Sequence, residues 1–250
     1  MQGLILAAGK GSRLAPYTDK YPKVLVKVQG TSLIMHTLER LWEQNVTETI
    51  IVIGYRKEQI IEECGYSYKN MKITYVVNEQ YETTNNVYSF YLGAKYIHDE
   101  SILIEGDLLF YRETLEKLMC SQGDCNILVS RYNAQTMNGT VIYADGNKAK
   151  ALVVKSMQEA DFDYSVAWKT VNMYRFSCNF MQKKLLPYVE LYVKTGSLNS
   201  YYELVLGALI YYGDSDINIV QAKETEWFEV DDEQDLEIAK REYYSNCSGT

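Results

Sequence analysis

The chain has 250 residues, 47% of them hydrophobic, enough for one α/β domain of the larger kind with a substantial buried core. No stretch approaches the ~20 apolar residues of a membrane span, no charged segment precedes an apolar one at the N-terminus, and the cysteines (Cys64, Cys120, Cys125, Cys178 and Cys247) are odd in number and at no zinc-ligand spacing. The expectation is a soluble, cytoplasmic protein without a disulfide framework or structural metal. The formal charge of −8 is unevenly spread, with Lys10, Arg13, Lys20, Lys23 and Lys27 set against only Asp19 in residues 1–30; a local positive site on an acidic body argues for a small anionic ligand and against nucleic acid, whose binders carry extended basic faces.

The chain opens with an apolar run, Leu4-Ile5-Leu6-Ala7-Ala8, read as a buried strand that empties into Gly9-Lys10-Gly11-Ser12-Arg13-Leu14 and then Tyr21-Pro22-Lys23. Glycines at 9 and 11 let backbone N–H groups approach anionic oxygens without Cβ interference, and Arg13 and Lys23 supply charge, a pattern suited to polyphosphate. A dinucleotide-binding turn would need a third glycine where Leu14 stands and an acidic residue about 20 positions later. Instead Pro16 interrupts the chain, and 24–28 reads as extended with no acid near its end. Thr31-Ser32 is expected to cap a helix whose apolar residues Leu33, Ile34, Leu38, Leu41 and Trp42 recur at helical spacing; a strand over 48–53, a short helix over 57–64 and a strand over 73–77 follow.

Alternating strands and helices imply crossover connections and a mostly parallel sheet, with ligands gathered at the carboxyl ends of the strands. That rule brings the Gly9 loop, Asn78 and Asp107 to one edge. Thr83-Thr84-Asn85-Asn86 are small polar residues able to cap a helix running to about Ile97. A buried strand from 102 ends in Glu105-Gly106-Asp107, and a carboxylate there, beside a phosphate loop, suits Mg²⁺, which takes few protein oxygens and keeps waters and substrate phosphates. From Asn126 the pattern changes to strands in quick succession, 127–130, 139–144 and 149–154, with an Asp145-Gly146 turn, an antiparallel portion. Residues 169–177 resume the sheet. Helices are predicted over 179–186 and 188–195, with Pro187 as the break, and over 201–212; a last strand covers 227–231 and a last helix 232–244. With no repeat, low-complexity run or linker, the reading is one domain over 1–245 and a loose tail over 246–250.

Leu6-Ala7-Ala8-Gly9, Gly11-Ser12-Arg13-Leu14 and the downstream Pro22-Lys23 resemble the signature of the nucleotidyltransferase family, which includes sugar-1-phosphate nucleotidyltransferases and phosphocholine cytidylyltransferases. Tyr81-Glu82-Thr83-Thr84-Asn85-Asn86, Glu105-Gly106-Asp107 and Glu229-Val230-Asp231 follow in the family's order, so the resemblance covers essentially the whole chain. It is closest to the CTP:phosphocholine and aminoalkyl-phosphonate cytidylyltransferases. The resemblance implies a Rossmann-like α/β fold, a mostly parallel central sheet flanked by helices, with a smaller antiparallel extension over the active site that receives the second substrate. It implies nucleotide contacts from Leu6, Ala7, Ala8, Gly9, Gly11, Ser12, Asn78, Thr84, Asn85 and Asn86, catalytic roles for Arg13, Lys23 and Asp107, and Mg²⁺ held by Asp107 and Asp231. Asp231 would otherwise be a helix N-cap, a role open to Asp232. An acceptor phosphate oxygen would attack the α-phosphorus of CTP in line and expel pyrophosphate. A phosphomonoester with a second pKa near ~6 needs no general base, which agrees with His36 lying within a helix and His98 at the end of one.

For the acceptor, Lys155 stands where the family often has a phosphate-binding lysine, although sugar-specific members commonly show Glu-Lys-Pro and this chain has Val154-Lys155-Ser156; a surface lysine fits equally. Tyr132, Trp168, Tyr174, Tyr201, Tyr202 and Trp227 are available to wall a pocket for a quaternary ammonium, and equally available as core. Glu203 would suit a primary ammonium. The expected partners are therefore CTP and phosphocholine, phosphoethanolamine or 2-aminoethylphosphonate, on a monomer or homodimer. Two further readings are a sugar-1-phosphate nucleotidyltransferase using UTP or dTTP, against which the missing Glu-Lys-Pro counts, and a non-catalytic nucleotide sensor, against which the intact Arg13, Lys23, Asp107 and Asp231 count.

Overall fold

In the computed structural model, which describes residues 1–133, 136–213 and 216–243, Gln2–Ala7 forms strand β1, buried along its whole length. The remaining strands are β2 (Lys27–Val28), β3 (Thr31–Ser32), β4 (Glu48–Ile53), β5 (Ser67–Tyr68), β6 (Met71–Val77), β7 (Ser101–Glu105), β8 (Leu108–Phe110), β9 (Cys125–Arg131), β10 (Val141–Asp145), β11 (Lys148–Val153), β12 (Trp168–Phe176), β13 (Ile217–Gln221) and β14 (Trp227–Glu229). Ten of them make one mixed sheet in the order β10-β11-β13-β9-β12-β7-β1-β4-β6-β5. Around β1 the sheet is parallel, with β7 on one side and β4 then β6 on the other.

Helices cover both faces, and this is why β1 reads as an unbroken apolar run rather than an alternating one. Leu4 and Leu6 join the cluster containing Val87, Phe90 and Ala94 of the helix Asn86–Ala94. Ile5 and Ala7, pointing the other way, join Ile34, Leu38 and Leu41 of the helix Leu33–Glu43. The first of these helices packs so closely that a Cβ on Gly93 would lie 2.5 Å from Leu4 Cδ1 and 2.6 Å from Val52 Cγ2.

The antiparallel portion continues the same sheet, because β12 runs antiparallel to β7 on one side and to β9 on the other. Its pairing with β9 shifts register between Thr170 and Tyr174, where Asn172 takes a left-handed conformation at φ 58°, a bulge that turns side chains of β12 toward the site.

Four expectations are corrected. Ser32 precedes the helix Leu33–Glu43 but gives it no side-chain cap; its hydroxyl donates instead to Glu63 at 2.9 Å. Residues 24–28 are only partly extended, since a 3-10 turn spans Lys23–Leu25 before β2. Pro187 does not break its helix: the chain runs from Cys178–Phe180 through a π-helical turn, Met181–Leu185, into Leu186–Thr195, and the widened turn accommodates a proline that has no N–H to donate four residues back. Strand β13, parallel to β9, was not anticipated.

Cys64, Cys120, Cys125 and Cys178 are free thiols, while Cys247 and the expected tail over 246–250 lie outside the described residues. Among the described residues no helix is long and apolar enough to cross a membrane.

Candidate active site

At the carboxyl ends of β1, β6 and β7 the chain encloses a cavity of about 330 Å³, lined by Leu6, Ala7, Ala8, Gly9, Gly11, Arg13, Lys23, Asn78, Thr84, Asn85, Asn86, Glu105 and Asp107 among others. Most of the residues expected around the nucleotide thus share one cavity. Ser12 is the exception: it is exposed, outside this lining. Gly11 is required twice over, by its φ of 72° and because a Cβ there would lie 2.6 Å from Lys23 Cβ. The loop has no side chain at the point where Lys23 passes beneath it. The Thr18 hydroxyl donates to the Gly11 carbonyl at 2.9 Å and fixes the turn.

Lys23 is the hub. Its Nζ lies 2.7 Å from Asp107 Oδ2 and 2.6 Å from Asp231 Oδ1, and Arg13 Nη2 lies 2.8 Å from the same Asp231 oxygen. Burial works against the lysine's charge, but Asp107 and Asp231 outweigh it and hold the ammonium above the usual lysine range. Burial also opposes the charge on Asp231, and Lys23 outweighs it, leaving that carboxyl below its ordinary value.

A short antiparallel pair brings the two aspartates together. Glu229 of β14 pairs with Leu108 of β8, so the residues just before β8 and just after β14 emerge side by side, and Val230 N–H donates to the Asp107 carbonyl at 3.0 Å. Asp232 caps the following helix, its carboxylate accepting from Asp235 N–H at 3.0 Å, which leaves Asp231 to the site. Asp107 Oδ1 is buried without a hydrogen-bond partner among the described residues. An orphaned hard oxygen beside a second carboxylate fits a divalent cation.

Behind this pair is a polar layer that sequence reasoning largely missed. Asn86 Nδ2 donates to Glu105 Oε1 at 3.0 Å and to Glu203 Oε2 at 3.3 Å, and Tyr202 Oη donates to Glu105 Oε1 at 3.0 Å. Lys169, only 1% exposed at its side chain, stands 3.3 Å from Glu229 Oε2, and Asn172 Nδ2 donates to Glu229 Oε1 at 3.0 Å. Burial, then the neighbouring Glu203 and Asp107, push the Glu105 carboxyl well up. Burial raises Glu203 to about 7 and Glu229 above its usual range. Nothing in the sequence singles out Lys169, because its strand also carries Thr170, Asn172 and Arg175. Asn78 is turned inward, donating to Thr84 Oγ1 at 3.0 Å and Ser89 Oγ at 3.1 Å, and Asn85 caps the helix by accepting from Asn86 N–H.

The residues expected around the acceptor do not gather in one cavity. Tyr174 and Tyr202 are fully buried, Tyr174 stacked on Phe176 with centroids 6.0 Å apart and Tyr202 on Phe90 at 5.1 Å, so both are core. Lys155 is exposed, 3.3 Å from the Tyr164 hydroxyl, and is no part of the cavity lining. Trp168 carries the Arg131 guanidinium 4.0 Å from its ring centroid. Trp227, buried in β14, lines with Arg13, Glu229 and Asp231 a second cavity, of about 570 Å³, while Tyr202 and Glu203 meet the first cavity only through Glu105 and Asn86.

Residues 2–167, which carry the glycine loop, Lys23, Asn78 to Asn86 and Asp107, match the nucleotidyl transferase family. The chain belongs to that family. This transferase is 32% identical over 236 residues to a CMP-5'-(3-aminopropyl)phosphonate synthase of Streptomyces rubellomurinus, a match covering 94% of this chain and 37% of that protein. It is 31% identical over 160 residues to a choline-phosphate cytidylyltransferase of Streptococcus pneumoniae, covering 62% of this chain and 65% of the relative. The chain thus spans little more than a third of the first relative's length and just under two thirds of the second's. Among solved structures the transferase superposes on a CTP:phosphocholine cytidylyltransferase from Streptococcus pneumoniae with a TM-score of 0.76 at 22% identity, over 96% of this chain and 97% of that one. It superposes on a UDP-glucose pyrophosphorylase with a TM-score of 0.78 at 16% identity, over 98% of each. These likenesses establish the α/β fold.

Proposed function

We propose that this transferase moves CMP from CTP onto a small phosphonate or phosphomonoester that carries a cationic group, with release of pyrophosphate. The observation that carries the reading is the Lys23 ammonium clasped between Asp107 and Asp231 beneath a glycine loop. That arrangement serves phosphate chemistry, and the two relatives, one named for a CMP-aminopropylphosphonate and one for choline phosphate, support the base and the cationic acceptor.

Backbone N–H groups around Gly9 and Gly11 hold the triphosphate, and Arg13 and Lys23 concentrate positive charge where the pentacovalent α-phosphorus develops negative charge. An acceptor oxygen attacks that phosphorus, the bond from the α-phosphorus to the bridging oxygen breaks, and pyrophosphate leaves with the electron pair. Since the acceptor arrives largely ionised, the chain needs to position it rather than deprotonate it. Asp107 and Asp231 would hold a divalent cation such as Mg²⁺, which when bound neutralises charge on the phosphates.

The test is pyrophosphate release with CTP, UTP, dTTP and ATP, each against phosphocholine, 2-aminoethylphosphonate and glucose-1-phosphate. CTP with a cationic acceptor is the expected productive pair. Preference for glucose-1-phosphate with UTP or dTTP would overturn the reading, and silence with every pair would favour a nucleotide sensor.

A further inference from the structure

Glu105 and Glu203 stand apart from the other acids of the site. Asp107 and Asp231 have Lys23, Asp231 also has Arg13, and Glu229 has Lys169; among the described residues no ion pair reaches Glu105 or Glu203. Their partners are the neutral Asn86 and Tyr202. Buried carboxyl groups are either protonated or offset by a cation, and Lys169, whose charge reaches Glu203, is already paired with Glu229.

The missing charge has a place to sit. Both donors to Glu105 reach the same oxygen, Oε1, and Glu105 lines the nucleotide cavity beside Gly106 and Asp107. The Tyr174 hydroxyl, fully buried, has no hydrogen-bond partner among the described residues, and its ring meets Tyr202 edge-on with centroids 5.5 Å apart.

Resting on the cytidylyl-transfer reading, we propose that Glu105, reinforced by Glu203 through their shared donor Asn86, is the subsite for the acceptor's ammonium, and that the acceptor is a primary aminoalkyl phosphonate or phosphate rather than a quaternary one. Carboxylate and phenol oxygens accept N–H bonds, which a trimethylammonium group does not offer. Of the ring faces it would need instead, those of Tyr174 and Tyr202 are turned into the core, which leaves Tyr81 and Trp227 at the two cavities.

The experiment measures pyrophosphate release from CTP with 2-aminoethylphosphonate, 3-aminopropylphosphonate, phosphocholine and uncharged propylphosphonate, for wild type, Glu105→Gln and Glu203→Gln. In wild type, kcat/KM for a primary amine should exceed that for phosphocholine and for propylphosphonate by about tenfold or more. Glu105→Gln should raise KM for the amine about tenfold while KM for CTP stays within about twofold, and Glu203→Gln should do the same more weakly. Wild-type preference for phosphocholine or indifference to the amine overturns the subsite without touching cytidylyl transfer, and needs no variant to fold. An unchanged amine KM in a folded Glu105→Gln overturns it equally. Absence of turnover with all four acceptors overturns the underlying reading and the subsite with it.

Discussion

Lys23 and Asp231 meet at 2.6 Å although 208 positions separate them in the chain. With Asp107 also within 2.7 Å of the same ammonium, the lysine does two jobs. It keeps two carboxylates from repelling each other, and it places positive charge next to the glycine loop. Lys23→Ala should therefore lower kcat by about 10²–10³-fold, the scale of losing one preorganised stabilising group, with KM for CTP changing much less. Steady-state kinetics checks this, and a near-normal kcat removes Lys23 from the mechanism.

Asp107→Asn tests the proposed cation-binding pair. An amide preserves the shape of the side chain but not the charge that draws a hard cation, so the variant should lose nearly all metal-stimulated turnover while circular dichroism stays unchanged. Turnover that persists in the variant, and in wild type treated with EDTA, contradicts the two-carboxylate arrangement.

Asp231 and Asp232 are neighbours with separate tasks, and exchange of their phenotypes would show the division wrong. Asp232→Ala removes the N-cap and should cost about 1 kcal/mol of stability with kcat little affected. Asp231→Asn should do the opposite, sparing denaturant midpoints and abolishing most turnover.

Glu203 gives a pH prediction. Burial raises its carboxyl from the usual 4.5 to about 7, so between those values the native state keeps a proton that the unfolded chain has released. Stability from this group is present in full below the unfolded value and lost as pH rises through about 7. Glu203→Gln removes that dependence. The variant's melting temperature relative to wild type should climb from pH 5 to pH 8, by the equivalent of on the order of a few kcal/mol. Calorimetry at intervals across that range checks it; parallel curves would mean that the native carboxyl titrates normally.

The parts of the fold that were legible are those in which local pattern and tertiary environment agree. Strand 48–53 and helix 57–64 have the boundaries expected of them, because strands buried on both faces read as apolar runs and the next helix carries its own periodicity. The glycine loop and Asp107 were legible because each occupies a strand end. Strand β13 was not: it is Ile-Asn-Ile-Val-Gln, five residues whose extended form depends on β9 and β11. The acceptor side was less legible for a related reason. A count of aromatic residues cannot separate Tyr174 and Tyr202, packed against Phe176 and Phe90, from rings facing a ligand, whereas buried acids such as Glu105 acquire meaning only when their partners are known.

The pairing of β8 with β14 also sets the order in which competence is acquired during synthesis. The glycine loop and the parallel strands around β1 come from the first half of the chain, and a nascent polypeptide can pair them early. Asp231 reaches Lys23 only after β14 has been made and has docked along Leu108–Phe110. Until then the lysine has one carboxylate partner, and the clasp of Lys23 between Asp107 and Asp231 is incomplete.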